Sequence, residues 1–180
     1  MPDNEGSTVT AGGGAEINEE IDAHIGSTYR TFMVTRRKNG SVTCHPMAKF
    51  YADKTIYLNM YASSAKFKNL ERDSRICLLA TTNSDDPEFR AAVIRGQARL
   101  LSPEETLAED APPGVVKARG INMEGVTKVE DAPDKFVGED PDDWLKRAAV
   151  MVERIRDRVR VIFEIEADEV GWLEDVRKEG

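Results

Sequence analysis

The sequence predicts a mainly β (α+β) fold, built from about six antiparallel strands with helices at its rim. Three observations carry this expectation. Short segments rich in β-branched and aromatic residues recur between residues 31 and 165, each bounded by turn residues. The connections between them are mostly too short for parallel crossovers. With 180 residues the chain can bury a real core as one domain, and short antiparallel strands of this kind usually close into a barrel or a sandwich.

Met1 to about Glu16 is polar, contains Gly12-Gly13-Gly14 and reads as a disordered tail, leaving 17–176 as the folded domain. Ile17, Ile21 and Ile25 recur at helical spacing and predict a short amphipathic helix. Thr31 to Thr35 is a strand, followed by Asn39-Gly40, a strong hairpin signal because both residues accept positive φ. The return strand is expected from Ser41 to Tyr51. Within it Pro46 lacks an amide donor and so marks an edge or a bulge.

Ala52-Asp53-Lys54 turns the chain, and Thr55 to Met60 is a third strand. A short helix then runs from Ser63 to Arg72 with Phe67 and Leu70 on its inner face. Arg75 to Thr82 is an apolar strand, 83–88 a polar loop, and Phe89 to Leu101 a long strand. Gly96 inside that strand suggests a bulge or the close approach of another backbone. Residues 103–143, with Pro112-Pro113, Pro133 and Pro141, read as an acidic insertion carrying one or two short helices. A helix from Asp142 to about Asp157 follows, with Trp144, Leu145, Ala148 and Met151 on its apolar face. Arg160 to Ile165 is the last strand, with Trp172 just beyond it.

The charge is uneven. Between Ser102 and Asp143 stand twelve acids and four bases, a balance of −8 equal to the formal net charge of the whole chain. From Arg36 to Arg75 the sign reverses, with nine bases against three acids. A basic segment in an acidic protein favours a small anionic ligand over bulk nucleic acid. No apolar run approaches a membrane span and no signal-peptide pattern opens the chain, so a soluble, cytoplasmic protein is expected. Cys44 and Cys77 lie in apolar strand contexts and read as small buried hydrophobes. Two histidines make no convincing metal cluster, and no P-loop, G-x-G-x-x-G or G-x-S-x-G pattern occurs.

The segment from Tyr57 to Arg75 carries the most chemistry. A strand runs into Ser63-Ser64 and then into a short cationic helix with Lys66 and Lys68. Serine hydroxyls, first-turn amides and Lys66 could converge on a volume suited to a phosphate. An N-cap role alone would also account for a serine there. Asn69 is expected to bond backbone locally.

The order of these elements resembles the pyridoxamine-phosphate-oxidase-like split β-barrel family of flavin- and deazaflavin-dependent oxidoreductases. The residues carrying the resemblance are Phe32 to Thr35, Asn39-Gly40, His45-Pro46-Met47, Thr55 to Asn59, Ala65 to Leu70, Arg72 to Arg75 and Gly96-Gln97-Ala98, within about 28–102. It implies a homodimer with FMN, or the deazaflavin F420, in a cleft between the two barrels. Carried over by motif, Lys66 and Ser64 would bind the phosphate, with Ser63 or Ser64 as an N-cap that also touches it. His45, Pro46 and Met47 would lie along the ring, Tyr57 and Leu58 would flank the ribityl chain, and Arg90 would contact the cofactor from the other side. The family's Ser-Arg-Lys is Ser64-Ala65-Lys66 here, so the arginine fork is missing and Lys68 is expected to compensate as a point charge. The function implied is hydride transfer between bound FMN or F420 and a small organic substrate. The alternative is a non-catalytic cofactor- or haem-binding module of the same fold. The acidic insertion is expected to cap the substrate side of the cleft.

Overall fold

The computed structural model describes residues 17–28, 30–82, 90–119 and 141–174, of which 30, 141–148 and 174 are described by backbone alone. The expected tail, the polar loop at 83–88 and most of the acidic insertion lie outside the described residues, as do the side chains of Trp144, Leu145 and Ala148.

Seven strands form one sheet in the order β2-β1-β5-β6-β7-β4-β3, and every pairing in it is antiparallel. The elements are α1 (Glu19–Ser27), β1 (Arg30–Arg36), β2 (Val42–Ala48), β3 (Phe50–Ala52), β4 (Thr55–Tyr61), α2 (Ala65–Arg72), β5 (Arg75–Thr81), β6 (Arg90–Leu100), α3 (Pro103–Leu107), α4 (Pro113–Ala118), α5 (Pro141–Arg156) and β7 (Arg160–Glu174). The sheet curls until β2 comes back against β4, giving the expected split barrel.

The expected return strand divides at Lys49, which adds the seventh strand: β2 pairs with β1, and β3 pairs with β4 at the far border of the sheet. The Lys49 ammonium donates to the carbonyl oxygen of Thr28 at the end of α1, and this inward reach interrupts the strand. The first hairpin also differs in detail. Gly40 is at φ +85°, but Asn39 is not left-handed; its Oδ1 instead accepts from Ser41 N at 3.1 Å. Asp53 and Lys54 both take positive φ, so the tight two-residue turn belongs to β3–β4. Pro46 falls on the border strand β2, where a missing donor costs no ladder bond.

The register of β6 on β7 shifts between Arg95 and Gly96. A Cβ at Gly96 would overlap the carbonyl oxygen of Glu166, so glycine is required by backbone proximity. Beyond this bulge β7 continues to Glu174, and Trp172 lies inside the strand opposite Ala92 rather than past its end.

Two apolar clusters hold the fold. The larger fills the concave side with Met33, Leu58, Met60, Leu78, Ile94 and Phe163. Ile17, Ile21 and Ile25 of α1 close one mouth, and Leu70 and Phe67 of α2 pack at the other. The smaller lies on the convex side of β4 and β7, where Tyr57, Leu101 and Ile162 meet Val115 and Ala118 of α4. Thus α3 and α4 are the short helices expected early in the insertion. Of these two, α4 packs as core against β4.

Candidate functional site

Ser64 is the N-cap of α2: its Oγ accepts from Phe67 N at 3.3 Å, while Ser63 is exposed. The amides of Ala65 and Lys66 have no intrahelical acceptor by helix geometry, and no acid stands in the first turn. Lys66 is turned toward the barrel. Its ammonium donates to the sulfur of Met47 on β2 at 2.9 Å, a weak acceptor for a full charge. Burial, and then the nearby Arg160 guanidinium, hold its pKa below the usual lysine range.

Arg160 opens β7 opposite Tyr61. Its guanidinium carbon lies 3.7 Å from the centre of the Tyr61 ring, and Nη1 donates to Asn59 Oδ1 at 3.3 Å. Asn59 is fixed in turn by donating to the Ala118 carbonyl oxygen at 2.6 Å. The buried Nε of Arg160 has no hydrogen-bond partner. Lys66 and Arg160 are thus near enough for the guanidinium to act on the lysine's charge, which makes this corner of the barrel cationic; among the described residues the hydrogen-bond partner of the ammonium is the Met47 sulfur.

The motif reading missed Arg160. Its relation to Lys66 spans about half of the chain, and only the β4–β7 pairing, which puts it beside the strand feeding α2, reveals it. Lys68, expected to replace the missing arginine, is exposed. The second positive charge that acts on Lys66 comes from Arg160 instead.

The other predicted residues are placed as follows. His45 and Met47 face inward on β2 and Pro46 faces outward; His45 Nε2 lies 3.3 Å from Thr43 Oγ1. Of these three, Met47 touches the corner directly. Leu58 and Tyr57 are buried in the larger and smaller clusters respectively, and the Tyr57 ring lies against Gly114. Arg90 is at the opposite end of β7 from Arg160, paired in register with Glu174. It lies over the Trp172 ring at 4.1 Å and pairs with Glu20 of α1 at 2.9 Å. His24 meets the same indole edge-on, with centroids 4.9 Å apart, and its Nε2 lies 2.9 Å from the Ala80 carbonyl oxygen. The chain thus brings together Ser64, Lys66 and Met47, and it keeps Arg90 apart from them.

Three further expectations are corrected. Cys44 is exposed on the outer side of the border strand, and Cys77 is only partly covered on the same side of β5, so neither is a buried hydrophobe. The Asn69 side chain bonds side chains rather than local backbone; its Nδ2 donates to Thr35 Oγ1 at 3.1 Å, tying α2 to β1, and its Oδ1 accepts from Arg72 Nη2 at 3.2 Å. Trp172 belongs to β7, as described above. Among the described residues no group of histidine, cysteine and carboxylate side chains could hold a metal. No described helix is long and apolar enough to cross a membrane.

The antiparallel curled sheet and its helix-capped cationic corner define a split β-barrel protein. The family model for pyridoxamine 5'-phosphate oxidase matches residues 17–144, and the chain belongs to that family. Solved structures show the same fold at low identity. A conserved hypothetical protein of Mycobacterium tuberculosis has TM-score 0.61 and 18% identity, over 93% of this chain and 90% of that one. A haem-binding protein of Mycobacterium smegmatis has TM-score 0.56 and 12% identity, over 90% and 57%. An F420 reductase has TM-score 0.50 and 11% identity, over 84% and 95%. No curated protein matches the chain in sequence. The fold family therefore includes both redox enzymes and haem binders.

Proposed function

We infer that the protein is a cytoplasmic flavin- or deazaflavin-dependent oxidoreductase, binding FMN or F420 and passing hydride between its ring and a small organic substrate. One observation carries this reading. Lys66, in the first turn of α2, and Arg160, at the start of β7, are partly buried cations near enough to interact, and among the described residues their partners are a thioether, an amide oxygen and an aromatic ring, with no ion pair to a carboxylate. Such a corner fits the phosphate of a cofactor, with Ser63 and Ser64 beside it. Lys66 would bear the phosphate charge, and Arg160 would supply the fork that Ala65 lacks. The border strand through His45, Pro46 and Met47 runs from this corner and offers unpaired backbone groups to a ring. When bound, the cofactor supplies the redox chemistry, and the protein's part is to hold and orient it.

A homodimer completes the reading. Pro46, Phe32, Leu79 and Val93 form a continuous cross-strand row on the outer side of the sheet, flanked by Cys44, Val34 and Cys77. Phe32, Val34, Cys77 and Leu79 are half-exposed there. A second copy seated on that row would bury it, and would let Arg90 and Trp172 of one barrel approach the corner of the other.

Titration of the apo-protein with FMN and with F420, followed by absorbance and calorimetry, tests the reading. Saturable binding of one of them, weakened in both Lys66→Ala and Arg160→Gln, is expected. Binding of neither overturns it, and uptake of haem alone with a Soret band would make the chain a haem-binding module.

A further inference from the structure

Beside α2, a cleft of about 240 Å³ opens between that helix, the corner from β6 into α3, and the turn from α5 into β7. Phe67, Leu101, Ile155 and Val161 give it an apolar floor. Two arginines of one turn, Arg158 and Arg160, supply its cationic wall. Two carboxylates also line it. Glu105 is already held by Arg99 Nη1 at 2.7 Å and by Ser102 N at 2.8 Å, while Glu71 is exposed on α2.

Arg158 is unusual in its backbone. It sits at φ +53°, just past the end of α5. Its N–H donates to Ile155 O at 3.0 Å and Val159 N–H donates to Arg154 O at 2.8 Å. This is the double bond of a helix terminator whose left-handed position is usually glycine or asparagine. An arginine there costs free energy that glycine would not. The helix dipole does not demand it, because Arg154 and Arg156 already occupy the last turn. Among the described residues the Arg158 side chain makes no hydrogen bond, although its charge acts on the Glu104 carboxylate, and the neighbouring Arg160 keeps a buried, unpartnered Nε while its Nη1 donates to Asn59. A strained cation beside an under-satisfied one, over an apolar floor, is the signature of a ligand site.

We propose that this cleft binds a small monoanionic carboxylate with a short apolar body, its carboxylate between Arg158 and Arg160 and its body on Phe67, Leu101 and Ile155. At roughly 30 Å³ for each water-sized volume, the space suits about eight non-hydrogen atoms. Glu71 at the rim disfavours a second negative charge. The site shares Arg160 with the cofactor reading, but its test needs no cofactor and reads Arg158.

The experiment titrates the full-length protein with 4-methylpentanoate, with neutral 4-methylpentanamide as the control, and follows the methyl resonances of Leu101, Ile155 and Val161. Saturable shifts are expected with the acid and none with the amide. Arg158→Asn, which keeps a residue tolerant of the left-handed turn, should weaken binding about tenfold. Leu100→Trp, filling the cleft from a position on its exposed edge, should abolish it. Equal binding of the amide, an unchanged affinity in Arg158→Asn, or no saturation by the acid would overturn the proposal. A protein that binds neither FMN nor F420 but gives these shifts would sink only the cofactor reading.

Discussion

Lys66 donates its proton to the sulfur of Met47 at 2.9 Å, across from helix α2 to the border strand β2. An ammonium resting on a thioether is poorly compensated, and exchanging that contact for a phosphate oxygen would be strongly favourable. Lys66→Ala should therefore weaken cofactor binding by about 1–3 kcal/mol, the scale of a charge-assisted hydrogen bond. Isothermal titration measures it, and an unchanged dissociation constant would remove the lysine from the site.

Leu79→Lys places a charge in the middle of the outer row formed by Pro46, Phe32, Leu79 and Val93. The side chain points away from the core, so the fold should survive while a homodimer should not. Light scattering should report a monomer, and cofactor should be released with it. A variant that stays dimeric would show that the second copy sits elsewhere. A monomer that keeps cofactor would contradict the shared cleft.

Gly96→Ala tests the bulge. The new methyl group would run into the backbone carbonyl of Glu166, which cannot swing aside as a side chain could. A loss of at least about 2 kcal/mol in urea unfolding is expected. Near-neutral behaviour would mean that β6 and β7 can separate there at little cost.

Lys49 gives a pH signature. Burial lowers its pKa from 10.5 to about 8. The unfolded chain then binds the proton more tightly than the folded one, so this lysine opposes folding below pH 8 and is relieved as the pH rises toward its unfolded value. Between about pH 8 and 10 its contribution should raise the unfolding midpoint, and Lys49→Met should flatten that part of the profile. An identical slope in the variant would show that the lysine is not responsible.

What could be read from the chain was local. The spacing of Ile17, Ile21 and Ile25 foretold α1 because three apolar residues on one helical face need a core, and all three are buried. Gly96 foretold the bulge because few other reasons keep glycine inside a long strand. Trp172 was placed outside the last strand because the polar run Glu166 to Glu169 breaks the apolar alternation, whereas the pairing of β7 with β6 carries the strand straight through it. The division of β2 from β3 depends on Lys49 reaching the end of α1, a long-range contact with no local pattern. The serine–lysine half of the candidate site was legible as a motif around one helix N-terminus. Arg160 was not, because its neighbourhood exists only once β4 and β7 are side by side.

Pro46 has a consequence for how the protein lives among copies of itself. β2 ends the sheet with a row of backbone groups that another extended polypeptide could copy, strand upon strand, into a growing fibre. A residue with no N–H in the middle of that row interrupts the template. A peptide requiring an unbroken ladder is thereby turned away from this border.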